Sequence, residues 1–433
     1  MGTPARRRLC LALSLPALFA LAVGSVEANN GINQIGFGTE SALMAGADTA
    51  MARDTSALNT NPAGLSQLSA GRVDVYLASA FIHDGVHRDG LGNDRQVTNK
   101  VIPVAGLGLA HRISGGPVVA GIGMFFQGGS GAQFENLATP FGGRDQLTAL
   151  FGVGKLTGGL SWEVTPKLSL GVGVSAVVAV AEQKIFPNSS NFDAFDPTRT
   201  FFGVSVDNVR ASRSGYRLGA QYQLSPSVRL GFVFANRVAL PLTDGQARVN
   251  MSSVGLGTVT YGNARLEGLA IPREISVGAT WAATDATLLS FKVSRLGWAR
   301  AFDSIVLDAS GPDNAFAPSG VRQVTDITAR DRTIYALGVR HALDDRLVLY
   351  AGFNYMKQPF EVQTLSPTLA PIGEKHLTLG ATRQFGERHH FAAGLEYLFP
   401  AEVRYTNPQV PLGPGLTARL EYIAFHAMYS YAW

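Results

Sequence analysis

The chain has 433 residues, of which 46% are hydrophobic and only 16% charged, and it contains 49 glycines. This low charge, with a positive mean hydropathy of +0.11, excludes intrinsic disorder, and 21 prolines without a G-X-Y repeat exclude collagen. The formal net charge of +4 is small, and Arg6–Arg8 form the longest basic run, which argues against a nucleic-acid partner. The composition favours a membrane protein or an unusually apolar soluble protein.

The chain begins with the three parts of a secretory signal peptide. Arg6–Arg8 precede a short apolar run, and Ala28 ends a cleavage sequence of small residues. The run contains Pro16 and is short for a transmembrane helix of about 20 residues, so a membrane anchor is disfavoured. We predict that residues 1–28 are a signal peptide. The single cysteine, Cys10, lies within it, so we expect the mature chain to have no disulfide and no Cys-based metal site.

Residues 29–70 precede the first predicted strand and do not alternate. The Ala, Met and Leu residues between Ser41 and Ala52 predict one short helix, with Gly46 as its weak point. The cluster Asn61-Pro62-Ala63-Gly64 predicts a turn that follows it.

From Arg72 onward, apolar residues alternate with polar or small residues at the period of two that is typical of strands. In 228–235 every even-numbered residue is a large apolar one, and comparable repeats occur in 216–224, 274–281, 347–355 and 391–399. The longest apolar stretch of the mature chain, Leu170–Ala181, is too short for a transmembrane helix. An exported apolar chain without such a helix can satisfy its backbone amides in lipid only as a closed β-barrel.

Short and long connections alternate between the predicted strands. The short turns are Ser114–Pro117, Thr165–Lys167, Ser225–Pro226, Thr284–Asp285, Asp344–Asp345 and Gly386–Arg388. The long connections lie near 84–100, 127–146, 184–202, 241–264, 299–325, 359–373 and 400–415. This asymmetry is typical of outer-membrane barrels and disfavours a soluble β-sandwich. We predict an all-β fold, a 14-stranded antiparallel transmembrane β-barrel over residues 71–433, in the outer membrane of a Gram-negative bacterium.

The last predicted strand carries aromatic residues on one face and ends on Trp433. This pattern resembles the signal that the barrel-assembly machinery reads, so that machinery and outer-membrane lipid are predicted partners.

Two placements are open to residues 29–70: the periplasm or the barrel lumen. Their small residues and modest charge favour the lumen, where a plug, or hatch, must pack closely against the wall. Glycines recur on the predicted lumen faces, at Gly171, Gly173, Gly219, Gly231, Gly278, Gly338, Gly352, Gly380 and Gly394. They indicate either close approach of a plug or relief of barrel curvature, and the sequence favours neither.

The segment Asn61-Pro62-Ala63-Gly64-Leu65, with Ala45–Ala47 and Asp54–Ala57, resembles the hatch of the FadL family of outer-membrane fatty acid and hydrocarbon transporters. Similar matches are Ile271–Glu274, Trp298, Gly338–Tyr355 and His376–Gly380. The resemblance covers nearly the whole mature chain. It implies passive uptake of hydrophobic compounds through an apolar loop site, a lumen pocket, hatch rearrangement and lateral exit, without a cofactor.

Apolar loop residues are the predicted ligand site: Phe126, Phe134, Leu137, Phe141, Phe186, Phe192 and Phe195. Clustered aromatic residues usually mark a binding surface, although Phe125 and Phe201–Phe202 equally suit a membrane-interface girdle. Gly121 and Gly123 in the third strand are the predicted lateral gate, because glycines weaken a strand locally and the family's gate lies in its third strand. The alternative to a gate is that these two glycines only make room for the hatch.

Two other functions remain open: a plugged porin for small polar solutes and an outer-membrane barrel hydrolase. The sequence contains no G-x-S-x-G, H-E-x-x-H, P-loop or EF-hand pattern. His83, Asp84 and His87 could bind a metal ion, but a solvated loop is the favoured interpretation. We therefore predict no catalytic residue, no metal site and no cofactor.

Overall fold

The computed structural model describes residues 30–433, so the predicted signal peptide with Cys10 lies outside the described residues. Within residues 30–433, fourteen strands, β1 to β14, form one closed antiparallel barrel. They are β1 (Gly71–Arg88), β2 (Val101–Arg112), β3 (Val118–Ala138), β4 (Arg144–Thr165), β5 (Leu168–Asn191), β6 (Phe201–Ser225), β7 (Val228–Ala235), β8 (Glu274–Ala282), β9 (Thr287–Leu296), β10 (Arg332–Ala342), β11 (Leu347–Met356), β12 (Lys375–Phe385), β13 (His389–Tyr405) and β14 (Leu416–Ala432).

The barrel closes where β14 pairs with β1, for example at Ser79 and Phe425. Beyond the last strand, the Gly71 and Trp433 backbones exchange hydrogen bonds of 3.1 and 3.0 Å at the short-turn end. Closure leaves no sheet edge in lipid, which the bilayer interior requires. The predicted 14-stranded antiparallel barrel is confirmed.

The outer surface of the barrel carries apolar side chains in alternation. On β2, Leu107 and Leu109 are exposed, whereas Gly108 and Ala110 are buried. Because successive side chains of a strand point to opposite faces, the large apolar set faces lipid and the small set faces the lumen.

The long connections contain further strands that the sequence did not predict. Within residues 30–433 these are Asp94–Gln96, Val238–Ala239, Leu242–Met251, Gly257–Glu267, Ala270–Ile271, Ser304–Pro312 and Gly320–Asp326. The hairpin formed by Leu242–Met251 and Gly257–Glu267 pairs with β6 on one side and with Ser304–Pro312 on the other. It therefore continues the wall beyond the membrane, as do β3 to β6, which are much longer than the apolar band of about 25 Å requires.

The hatch, residues 30–70, folds back into the lumen. It contains helix α1 (Thr39–Leu43) and two short 3-10 helices, Thr55–Leu58 and Pro62–Gln67. Helix α1 is shorter than the helix predicted between Ser41 and Ala52, because Ala45 and Gly46 adopt positive φ angles of 53° and 78°. None of the helices in the described part of the chain is long and apolar enough to cross a membrane.

The glycines of the lumen wall contact the hatch directly. A Cβ atom on any of the nine predicted lumen glycines would lie within 3.3 Å of a hatch atom. At Gly219 it would lie 2.0 Å from Asn61 Oδ1, and at Gly171 2.2 Å from the Ala63 nitrogen. Of the two interpretations of these glycines, the structure favours close approach of the hatch.

Candidate functional site

The turn Asn61-Pro62-Ala63-Gly64 anchors the hatch to the wall. Asn61 caps the second 3-10 helix, since its Oδ1 accepts a hydrogen bond of 3.1 Å from the Ala63 nitrogen. Its Nδ2 donates to the carbonyl oxygens of Thr49, at 2.6 Å, and of Ala220 on β6, at 3.3 Å. One buried amide thus joins two hatch segments to the barrel wall.

Replacing Asn61 with alanine is expected to loosen the hatch while the barrel still assembles. The variant loses a helix cap and the bonds to Thr49 and Ala220, together worth about 2 kcal/mol, so amide exchange in Pro62–Gln67 should accelerate by about tenfold or more. Hydrogen-exchange mass spectrometry of the detergent-solubilised protein measures this rate. The control Ser66→Ala removes one bond within the same helix and should have little effect. Equal protection in Asn61→Ala and wild type would contradict the anchoring role.

The periplasmic side of the hatch carries a cluster of charged groups. Glu40 pairs with Arg53 of the hatch at 2.5 Å and lies 3.7 Å from Arg340 on β10. Asp54 caps the first 3-10 helix through the Ser56 nitrogen. Burial, reinforced by the nearby Asp74 carboxylate on β1, raises the pKa of Asp54 to about 7.

Hatch docking is expected to weaken as the pH rises from about 4 to about 7. A carboxyl whose pKa is raised in the docked state favours docking most below its ordinary value of 3.8, and this contribution is lost as the pH approaches 7. Exchange of the Thr55–Leu58 amides, corrected for intrinsic rates, should be on the order of tenfold faster at pH 8 than at pH 5. Asp54→Asn should abolish the difference, whereas Asp196→Asn, at a cap in an extracellular loop, should retain it. A pH-independent wild type would refute this expectation.

A buried ion-pair network joins the hatch to three wall strands. Glu274 on β8 accepts a hydrogen bond of 3.0 Å from Arg217 on β6 and lies 3.7 Å from Lys292 on β9. Lys292 pairs with Asp48 of the hatch at 3.2 Å, and Arg217 donates to the Thr60 carbonyl at 2.9 Å. Any movement of the hatch must therefore rearrange this network.

Lys155 on β4 lies beside the network without a partner. Its residue is 8% exposed, and within residues 30–433 it makes no hydrogen bond or ion pair. It lines a small cavity of about 20 Å³ together with Gln127, Arg217 and Glu274. The two basic side chains around this cavity face one carboxylate, so Lys155 is left without an anionic partner among the described residues. Lys155 is therefore a candidate contact for the head group of an anionic ligand.

A packed core of buried apolar side chains, here called the apolar compartment, lies mostly in the extracellular half of the barrel and adjoins this cavity through Val238 and Ile271. At its base, Trp298 is fully buried, with its ring centroid 5.9 Å from that of Phe302 and 6.4 Å from that of Phe360. These three aromatic residues come from separate parts of two long connections. No local pattern in the sequence marks them as a cluster, and they are not among the predicted ligand-site residues.

The apolar compartment contains most of the predicted ligand-site residues. Phe126, Phe134, Leu137 and Phe186 are buried within it, and Phe141 packs against it. Phe201 stacks on Phe141 with 4.4 Å between ring centroids. It therefore belongs to the compartment, not to a membrane-interface girdle.

Phe192 and Phe195, which were also predicted for the ligand site, lie outside the apolar compartment. Phe192 is 52% exposed and Phe195 99% exposed, so neither lines the compartment. The Asp193 carboxylate accepts hydrogen bonds from the backbone nitrogens of Phe195 and Asp196, at 3.0 and 3.1 Å. This tight turn leaves Phe195 at the tip of the loop.

Gly121 and Gly123 lie in a part of β3 that is paired with the neighbouring strand on each side. Gly121 is opposite Ala110 of β2, and Gly123 is opposite Gly108, while β4 pairs with both glycines on the other side. A Cβ on Gly121 would lie 3.4 Å from Leu58 of the hatch. Both glycines thus lie in a ladder that has partners on both sides, and the gate at these two residues stays a prediction.

The wall opens farther along β3. Pairing with β2 ends at Phe125, and beyond it Phe126–Gly131 is buried throughout instead of alternating. The register with β4 shifts between Phe126 and Gly128, where Gln127 is the extra residue of a bulge. Residues 101–105 of β2 consequently have no partner on the β3 side.

The kinked part of β3 contacts the N-terminal part of the hatch. The Gln34 nitrogen donates to the Gln127 carbonyl at 3.4 Å, and the Asn59 side chain donates to Gln127 Oε1 at 3.1 Å. A Cβ on Gly128 would lie 2.0 Å from the Ile32 oxygen, so only glycine permits this approach. Hatch, ion-pair network and wall opening are therefore in direct contact.

A sequence profile of the family described as "Outer membrane protein transport protein (OMPP1/FadL/TodX)" matches residues 24–431. The chain belongs to this family. The resemblance noted in the hatch sequence is thereby confirmed, and the protein is an outer-membrane protein of a family of hydrophobic-compound transporters.

Two curated relatives from Haemophilus influenzae are each named Outer membrane protein P1. One is 25% identical over an alignment of 286 positions that covers 61% of this chain and 59% of the relative, so less than two thirds of that relative is spanned. The other is 23% identical over 400 residues and 83% of each chain.

Solved members of the family have the same fold. The Pseudomonas putida toluene transporter TodX superposes with a TM-score of 0.77 at 18% identity, over 92% of this chain and 99% of that one. The Ralstonia pickettii toluene transporter TbuX gives 0.72 at 18% identity, over 92% and 99%. A Pseudomonas aeruginosa FadL homologue gives 0.71 at 16% identity, over 93% and 99%.

Proposed function

We propose that the protein is a passive outer-membrane channel for hydrophobic compounds and that long-chain fatty acids are its main substrates. The observation that carries this proposal is the buried, unpaired Lys155 beside a continuous apolar compartment. A fatty acid can place its tail among apolar side chains and its carboxylate against the ammonium group. A neutral hydrocarbon would use only the compartment.

The proposed path begins among the apolar loop residues Phe134, Leu137 and Phe186 and continues to Trp298 beside the hatch. The head group then occupies the cavity at Lys155, and rearrangement of the hatch around Asn61 frees the passage. Exit is lateral, through the unpaired part of β3 at Gln127. Passage needs only binding and release, so no cofactor and no catalytic residue are proposed.

Two alternatives differ from this proposal in what they would transport or convert. A polar-solute porin requires a wet passage, whereas here apolar side chains cover the approach to the lumen. A barrel hydrolase requires a nucleophile with a partnered base. The barrel-assembly machinery and outer-membrane lipid are proposed as the other partners, the first through β14.

Uptake assays on the folded protein distinguish these functions. The protein is expressed in an outer-membrane strain that lacks its own fatty acid channel, and entry of labelled oleate and labelled toluene is measured. Swelling of proteoliposomes in sugars measures porin activity, and release of free fatty acid from phospholipid measures hydrolysis. We expect oleate uptake well above toluene uptake, with no swelling and no hydrolysis. Swelling without oleate uptake would refute the proposal.

A further inference from the structure

Four arginines form a patch on the outer surface of the barrel. Arg237 follows β7, Arg273 precedes β8, Arg295 lies on β9 and Arg300 lies just beyond it, and all four are exposed. We call these four residues the arginine patch.

Backbone contacts hold the arginine patch together. The Arg237 guanidinium donates to the Arg300 carbonyl at 2.6 Å, and the Arg273 carbonyl accepts from the Gly297 nitrogen at 2.9 Å. Arg295 is opposite Ile275, two residues from Arg273, so these two arginines are diagonal neighbours on one face. Gly297 packs beside Arg273, since a Cβ at this position would lie 3.7 Å from the Arg273 Cβ.

The arginine patch lies at the extracellular boundary of the lipid-facing surface. On β8, Trp281, Val277 and Ile275 are exposed and apolar, and Arg273 is the next residue outward on that face. The eight residue-to-residue steps from Trp281 to Arg273 rise about 20 Å in a strand tilted by about 40°. With the reach of its own side chain, Arg273 attains the level of the outer-leaflet head groups.

The charges of the arginine patch are mostly uncompensated. Within residues 30–433, Arg237, Arg273 and Arg300 have no carboxylate within 4.0 Å, and Arg295 reaches only Asp331, at 4.0 Å. Glu274 next to Arg273 faces the lumen, where it pairs with Arg217. Asp303, close to Arg300 in sequence, forms no ion pair with it in this structure.

Three arginines elsewhere on the extracellular wall are paired. Arg248 lies 2.6 Å from Asp207, and Arg322 lies 3.2 Å from Asp308. Arg419 on β14, across the barrel, lies 2.8 Å from Asp84. Other exposed arginines, such as Arg213 and Arg265, also lack a carboxylate within 4.0 Å in the described part of the chain. The arginine patch is distinguished by four arginines that adjoin one another.

We propose that the arginine patch binds the phosphate groups of a phosphorylated lipid in the outer leaflet. A guanidinium group can donate two parallel hydrogen bonds to the oxygens of a phosphate group. Exposed cations at the membrane surface also attract anionic lipids. The bound lipid fixes the position of the short strands β7 to β9 in the membrane. This role is independent of the substrate that passes through the lumen.

Lipid binding by the purified, folded full-length protein tests this proposal. Native mass spectrometry compares diphosphorylated lipid A, the same lipid after removal of both phosphates, and inorganic phosphate. The variant carries Arg273→Gln with Arg295→Gln, and the matched control carries Arg248→Gln with Arg322→Gln. Heat-modifiable gel mobility establishes that each barrel is folded.

We expect wild type and the control to bind the diphosphorylated lipid about tenfold or more tightly than the patch variant does. The dephosphorylated lipid should not distinguish the three proteins. Equal lipid binding by the patch variant and wild type would overturn the proposal. So would binding of inorganic phosphate as tight as that of the lipid, because the site would then be a free-anion site.

Discussion

Deletion of Gln127 is expected to reduce uptake of hydrophobic substrate by about a hundredfold or more. The deletion would restore pairing between β2 and β3 and so add about four or five ladder hydrogen bonds of about 1 kcal/mol each. Gln127 is the extra residue of the β3 bulge, so its removal makes Phe126 and Gly128 consecutive partners on β4. The register with β4 is then regular and β3 can continue alongside residues 101–105 of β2. The wall would be closed where we propose that substrate leaves.

The matched control for this deletion is Gln127→Ala. It removes the same side-chain contacts with Asn33 and Asn59 of the hatch but keeps the bulge. We expect it to retain most of the uptake, and heat-modifiable mobility should show both barrels to be folded. Equal uptake by the deletion and the control, at equal surface expression, would place the exit elsewhere in the wall.

Lys155→Met is expected to reduce fatty acid uptake by about 10- to 100-fold, which is the range for loss of a charge-assisted hydrogen bond in a buried site. Methionine keeps most of the length of the side chain and fills that space with apolar atoms. Entry of a neutral aromatic hydrocarbon should be unchanged or slightly faster, since the substitution also removes the cost of a buried charge. Competition between labelled oleate and unlabelled toluene in the same cells measures this change in selectivity.

Two further variants isolate the charge at position 155. Lys155→Arg retains the cation and should restore fatty acid uptake in part, whereas Lys167→Met removes a cation from a periplasmic turn and should have no effect. A Lys155→Met protein that loses oleate and toluene uptake equally would indicate damage to the passage. Unchanged oleate uptake would refute a head-group role for Lys155 but leave the channel function open.

Much of the fold could be predicted because its signals are local. The alternation of apolar and polar or small residues identifies the strands and their lipid faces. Short turns such as Asp344–Asp345 identify the periplasmic end. The turn at Asn61-Pro62 carried the family resemblance. The helix predicted between Ser41 and Ala52 was less accurate, since packing of Gly46 against the Ile35 carbonyl imposes a positive φ there.

The candidate site was predicted less completely. Phe134 and Phe186 could be found as apolar residues in polar loops, but Phe195 has the same local appearance and lies at an exposed tip. The gate was placed on Gly121 and Gly123 because glycine weakens a strand. In the structure the β3 bulge lies at Gln127, which contacts the hatch.

The strand pattern, the outward face of each strand and the presence of a hatch could be predicted from the residues alone, because each depends on residues close together in the chain. Only the folded chain shows that Lys155 has no partner, that Glu274 and Arg217 pair with each other, and that β3 separates from β2. These features depend on which side chains from distant strands meet across the lumen. A period of two specifies the face on which a side chain lies, but not the partner that it finds there.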